Sequence, residues 1–215
     1  MKALYLAVLM TALTGCAQHS QTTQTAAIAV SASDVIKNAK AHEWQTVSTQ
    51  NILKITLPTG SAYIKLNPEL APKHTEHIKE LAREGFYKDT SVYRFVEGFV
   101  AQGGDSSGNK KIQTANKTVP AEFYLETTQP LKITELKGDG YAPVTGFLNG
   151  FAVAQNQTHT QTWQVHCNGV FAMARDNDIN SASTEFFVTI GQGPRYLDKN
   201  ITVFGRVLEG MEHFN

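Results

Sequence analysis

The sequence predicts a mainly β fold, a barrel or sandwich of short antiparallel strands with one clear helix. Three observations predict it. Short runs rich in β-branched and aromatic residues recur between clusters of Gly, Pro, Asn and Asp. A helical apolar stripe with both a start and a stop signal occurs in one segment, near residues 67–85. Strands and helices do not alternate, as they would in a parallel α/β sheet. At 215 residues the chain can bury one ordinary core, which points to one domain with a short appendage.

The appendage is N-terminal. Lys2 followed by "ALYLAVLMTAL" reads as an export signal over residues 1–15, with an apolar core too short to span a membrane. The next residues, "LTGC" from Leu13 to Cys16, resemble the lipobox of bacterial lipoproteins. That resemblance implies a lipid on Cys16 and membrane attachment through the acyl chains. Ala17 in place of Asp then favours the outer membrane, facing the periplasm of a bacterial envelope. Residues 16–48 form the lipidated end and a tether, small and polar over 17–33. Around Trp44 a short helix and a lead-in strand remain equal alternatives.

The domain proper is expected over residues 49–215. "ILKITL" and "AYIKL" flank Pro58-Thr59-Gly60 and read as a hairpin. The helix follows, with Asn67 as its cap and Pro68 at the first position, its regular part delayed by Pro72, Ile78 and Leu81 with Ala71 and Ala82 on the buried stripe, and Gly85 at its end. His74 and His77 on this helix read as solvent-facing, with no third ligand at metal spacing. "YRFVEGFVAQGGD" (93–105) is the next apolar run. Residues 106–168 read as an irregular excursion with one strand, "FLNGFAVA", inside it. "VFAMA", "FFVTI" and "TVFGRVL" are the last strand candidates.

Composition narrows function. The chain balances 19 basic with 19 acidic residues and has no basic run, so nucleic acid is a poor partner. With Cys16 lipidated, Cys167 has no disulfide partner and reads as a buried structural thiol. Ser106, Ser107, His159 and His166 offer hydrolase groups, but no nucleophile-elbow pattern accompanies them.

Two blocks carry a stronger signal. "YRFVEGFVAQGGD" and "GVFAMARDNDINSASTEFFVTIGQGPRYLDKNITVFGRVLEGME" together resemble the cyclophilin family of peptidyl-prolyl cis-trans isomerases. The resemblance implies a closed antiparallel β-barrel with one or two capping helices and isomerisation of X-Pro bonds, with no cofactor and no metal. It implies that Arg94 is the catalytic arginine and that Phe99, Val100 and Phe187 line a proline pocket closed by Leu197. Gln102 would orient Arg94 and bind substrate backbone, while the backbone at Ala174 and Arg175 would pair with the residues before proline. Arg94, Val100 and Gln102 share strand parity but Phe99 does not, so a bend at Glu97-Gly98 must reset the phase.

Four positions depart from the family pattern: Tyr93, Glu185, Tyr196 and Ile201. Glu185 places a carboxylate where an amide usually receives the substrate chain, which should change the preference for neighbouring residues. Tyr196 and Ile201 should weaken cyclosporin-type ligands more than catalysis. Family members continue past the point matching Asn215 with a second helix and a closing strand, so the resemblance leads one to expect those two elements missing. The expected protein is a monomeric isomerase acting on proline-containing unfolded or exported polypeptides. The alternative is a catalytically weak or inactive module that binds proline-containing segments.

Overall fold

The computed structural model describes residues 31–214. The signal segment, Cys16 and the start of the tether lie outside the described residues. The chain divides between Gln45 and Thr46 into two units. The described part of the first holds α1 (Ala32–Asn38), capped by the Ser31 side chain accepting from Asp34 N–H at 3.1 Å, and a 3-10 turn at Ala41–Glu43. No residue of either element is buried.

The second unit is built on one curled antiparallel sheet. Its strands are β1 (Ile52–Leu57), β2 (Gly60–Leu66), β3 (Ser91–Val96), β4 (Val100–Gly104), β10 (Val170–Met173), β11 (Phe186–Thr189) and β12 (Val203–Glu209), in the order β1-β2-β12-β10-β11-β4-β3. The β1–β2 hairpin and the three late strands fall where the β-rich runs predicted them. β1 and β3 are edges, so among the described residues no ladder closes the ring, and the sheet is a half-barrel. A cavity of about 460 Å³ separates these edges, walled by Leu53 and Ile55 of β1, Val92 of β3, and Ile78, Tyr87 and Phe186.

β10 and β11 are buried on both faces, which is why they read as near-continuous apolar runs. Alternate residues face opposite ways. Ile64, Leu66, Ala101, Phe171, Met173, Phe186, Val188 and Phe204 form the inner core under α2 (Pro72–Arg83). Val100, Val170, Ala172, Phe187 and Val203 form a separate cluster on the outer face.

Three expectations are corrected. The helix begins at Pro72, where its regular part is expected, but its N-cap is Ala71, not Asn67, and Pro68 lies outside it. Asn67 instead donates its N–H to Phe204 O at 2.8 Å, continuing the sheet, and the first turn is capped from afar by Glu122, whose oxygens accept from Lys73 and His74 N–H at 2.9 Å. His74 and His77 are not solvent-facing: they are 0% and 3% exposed. Each occupies a polar niche, His74 Nδ1 at 2.7 Å from Glu122 Oε2 and His77 Nε2 at 2.6 Å from Ser183 O. The two rings address separate partners and do not converge.

The third correction is the largest. The excursion is a second antiparallel sheet, β5 (Leu125–Glu126), β6 (Thr134–Lys137), β7 (Val144–Leu148), β8 (Phe151–Gln155) and β9 (Gln161–Gln164), in the order β5-β9-β8-β7-β6. "FLNGFAVA" is the centre of a hairpin, not one strand. Asn149 and Gly150 have φ of 50° and 79°, the left-handed pair that a two-residue turn of matching twist requires. Trp163, Val165, Ala142 and Ala154 bury its inner side.

Candidate active site

The site grows from the register of three strands. Arg94 on β3 lies opposite Gln102 on β4, Gln102 opposite Phe187 on β11, and Phe187 opposite Ala172 on β10. Directly opposed residues share a face, so these four form one row across the outer surface. Val100, two residues from Gln102, joins them. The phase of Phe99 is reset as parity required: Gly98 has φ of 68° and Phe99 N–H donates to Val96 O at 2.9 Å, turning the chain between β3 and β4. The turn is tight from outside as well, since a Cβ on Gly191 would sit 1.8 Å from Gly98 O.

Phe99, Ala174, Leu197 and Ile201 pack around Val100 and Phe187, so six of the residues nominated from sequence meet in one apolar cluster. Tyr196 is exposed and stacks on Phe99 with ring centroids 6.4 Å apart. Arg175 sits at the margin, its guanidinium occupied by Asn200 O at 3.1 Å and Asp176 O at 2.6 Å. Ala174 N–H is already donated to Glu185 O at 2.7 Å, so only its carbonyl is open to a substrate backbone. A cavity of about 290 Å³ opens beside Tyr93, Gln102, Ala174 and Glu185.

The polar side of the row is a directed chain. Tyr93 Oη lies 2.5 Å from Glu185 Oε2, Gln102 Nε2 donates to Tyr93 Oη at 2.9 Å, and Arg94 Nη1 donates to Gln102 Oε1 at 3.2 Å. An ionised carboxylate only accepts. Tyr93 must then give its proton to Glu185 and accept from the Gln102 amide, which leaves Oε1 facing Arg94. Partial burial, followed by the bond to Glu185, pushes the Tyr93 hydroxyl up to about 12, so it stays protonated and the direction holds. Sequence reasoning noted Tyr93 and Glu185 as departures; their partnership depends on a β3 bulge at Tyr93 that no local pattern announces.

The groups nominated for hydrolysis do not assemble. Ser107 Oγ donates to Asp105 at 2.6 Å, His159 pairs with Gln155 at 2.9 Å, and buried His166 pairs with Asp198 at 3.1 Å. Burial pushes the Cys167 thiol up, away from the thiolate that nucleophilic work needs.

Fold and site define an antiparallel half-barrel whose outer face sets an apolar cluster beside the exposed Arg94 guanidinium. The family model described as cyclophilin type peptidyl-prolyl cis-trans isomerase matches residues 52–215, and the chain belongs to that family. A probable peptidyl-prolyl cis-trans isomerase of Brucella suis is 29% identical, over 76% of this chain and 69% of its own. The Dictyostelium discoideum isomerase cypE is 27% identical, over 76% of this chain and 82% of its own. Among solved structures, the cyclophilin AquaCyp293 from Hirschia baltica matches with a TM-score of 0.66 at 28% identity, covering 81% of this chain and 73% of that one. The enzyme class is peptidyl-prolyl cis-trans isomerase.

Proposed function

We propose that this enzyme isomerises X-Pro bonds of exported polypeptides at the bacterial envelope, with Arg94 as its catalytic residue. The observation that carries the reading is the row itself: a guanidinium oriented through Gln102, level with an apolar cluster of Phe99, Val100, Phe187 and Leu197. Amide rotation meets a barrier of roughly 18–20 kcal/mol because the nitrogen lone pair is shared with the carbonyl. Unaided X-Pro isomerisation takes tens of seconds or more, slow enough to limit folding. In the twisted state the nitrogen recovers its lone pair. A fixed donor aimed at that nitrogen and at the prolyl carbonyl binds the twisted state better than either planar one.

No proton is transferred and no bond is broken in this scheme. The pocket holds the ring, Gln102 holds Arg94, and the chain from Glu185 holds Gln102. A protease-coupled assay on an Ala-Pro peptide tests the reading: activity of the wild type no greater than that of Arg94→Ala refutes it.

The envelope assignment rests on "LTGC" at Leu13–Cys16. Lipid on Cys16 would place the isomerase on the outer membrane, facing the periplasm, where exported chains fold. Wild-type protein recovered in membranes and Cys16→Ser recovered in the soluble fraction is the expected result; equal partition of both refutes the anchor.

A further inference from the structure

The 3-10 turn Arg195–Leu197 walls the pocket, and its supports lead away from the pocket into the second sheet. Leu197 packs on the Val100 and Phe187 cluster, while Tyr196, 64% exposed, leans on Phe99. So short a turn is not rigid by itself. Asp198, directly after Leu197, accepts from His166 N–H at 2.9 Å, from the His166 ring at 3.1 Å and from Arg195 Nε at 2.6 Å. The His166 ring in turn lies flat against Phe187, centroids 6.3 Å apart and planes 17° apart.

Arg195 carries the chain outward. Its Nη1 donates to Asp139 Oδ2, and its guanidinium lies 5.4 Å from the centroid of the Tyr141 ring. The other Asp139 oxygen accepts from Tyr141 and Ala142 N–H, both at 2.9 Å, so this carboxylate is held by its own turn between β6 and β7. On the far side of the wall, Lys199 Nζ sits 4.6 Å from the centroid of Trp163 on β9. Burial would raise the Asp139 and Asp198 carboxyls, but the hydrogen bonds from backbone N–H groups, Arg195 and His166 outweigh it and hold both below the ordinary carboxylate range.

We propose that the second sheet is a backing plate for the pocket, and that Asp139, Arg195, Asp198 and His166 are positioning residues that set how Leu197 and Tyr196 close over the substrate ring. The network acts on peptide affinity and leaves Arg94 untouched. It rests on the reading of the Val100 and Phe187 cluster as the substrate pocket.

The test pairs Asp139→Asn with the wild type. Asn can still cap its turn through its side-chain oxygen but loses the charge that faces Arg195. KM for an Ala-Pro peptide is expected to rise about 3- to 10-fold, the size of one weakened charged hydrogen bond, with kcat within about two-fold. The Leu197 methyl NMR signals should shift while the melting temperature stays near that of the wild type. Arg195→Lys, which keeps a charge but loses the fork that serves both carboxylates, should fall between the wild type and Arg195→Met in KM. Unchanged KM with unshifted Leu197 signals in Asp139→Asn overturns the proposal. So does a fall in kcat that tracks a fall in melting temperature, because that reports general loosening. Wild-type protein that binds the peptide without shifting Leu197 or Phe99 signals overturns the pocket reading instead, so the two failures are told apart.

Discussion

The two faces of the central sheet are built from adjacent residues of the same strands, yet they answer to different physics. On β11, Phe186 and Val188 turn inward to Phe171, Met173 and Phe204, a face made chiefly of apolar burial. Phe187 between them turns outward, where an apolar cluster borders a polar chain and an exposed arginine. The inner face can lose any one contact and remain a core; the outer face works only if several groups stay in register. Stability and activity should therefore separate by strand parity.

The inner face gives the largest expected effect. Phe171→Ala removes a fully buried ring packed at a tilt between Phe186 and Phe204, and should lower stability by about 3–5 kcal/mol. Measured by denaturant unfolding, the loss should come with near-normal activity per folded molecule at low temperature. Arg94→Ala should behave oppositely. Its side chain is exposed, so unfolding should move by less than about 0.5 kcal/mol, while kcat/KM falls by roughly 10² to 10³, the loss expected for one fixed donor to a developing charge. If both variants lose stability and activity together, the two faces are not independent.

Glu122 sharpens the comparison from the helix side. Burial raises its carboxyl, but bonds from the His74 ring and from the His74 and Lys73 N–H groups prevail and hold it below its ordinary value of 4.5. A lowered folded-state pKa stabilises above the unfolded value and is lost as pH falls through the folded one. The wild type should then lose stability below about pH 4.5. Glu122→Gln should be less stable at neutral pH by about 1–3 kcal/mol and show less of that acid dependence, read from thermal unfolding against pH. A variant with an undiminished acid slope would assign the effect to other carboxylates.

Tyr93→Phe tests the smallest step. It removes the hydroxyl that passes direction from Glu185 to Gln102, leaving Arg94 with its partner but without a fixed amide orientation. A two- to ten-fold fall in kcat/KM corresponds to one neutral hydrogen bond. No fall would mean that packing alone orients Gln102.

The strands were legible wherever one residue pattern carried them. The β1–β2 hairpin shows its turn residues, and β10 to β12 show β-branched and aromatic runs between turn-rich segments. The second sheet was hidden because its strands are short and polar on one side, and because Asn149-Gly150 divides what reads as a single apolar run. His74 and His77 misled for a related reason. A histidine on a helix reads as polar until its partners are known, and those partners, Glu122 and Ser183, lie 48 and 106 residues away. Cap assignment failed on the same ground, since Glu122 replaces the local residue that usually satisfies the first N–H groups.

Within the site, sequence by itself determined the residue types: one arginine, one glutamine, a set of apolar residues, and an aspartate after the Tyr196-Leu197 pair. Local spacing along a strand sets which face each side chain takes, and that geometry is the same in any sheet. Tertiary structure alone decided which strands lie side by side, and with them the Arg94, Gln102, Phe187 row, the direction of the Tyr93 chain, and the reach of Asp139 to the pocket wall. Those contacts join residues far apart in the chain, and their hydrogen bonds count only once folding has removed the water that would otherwise satisfy each group.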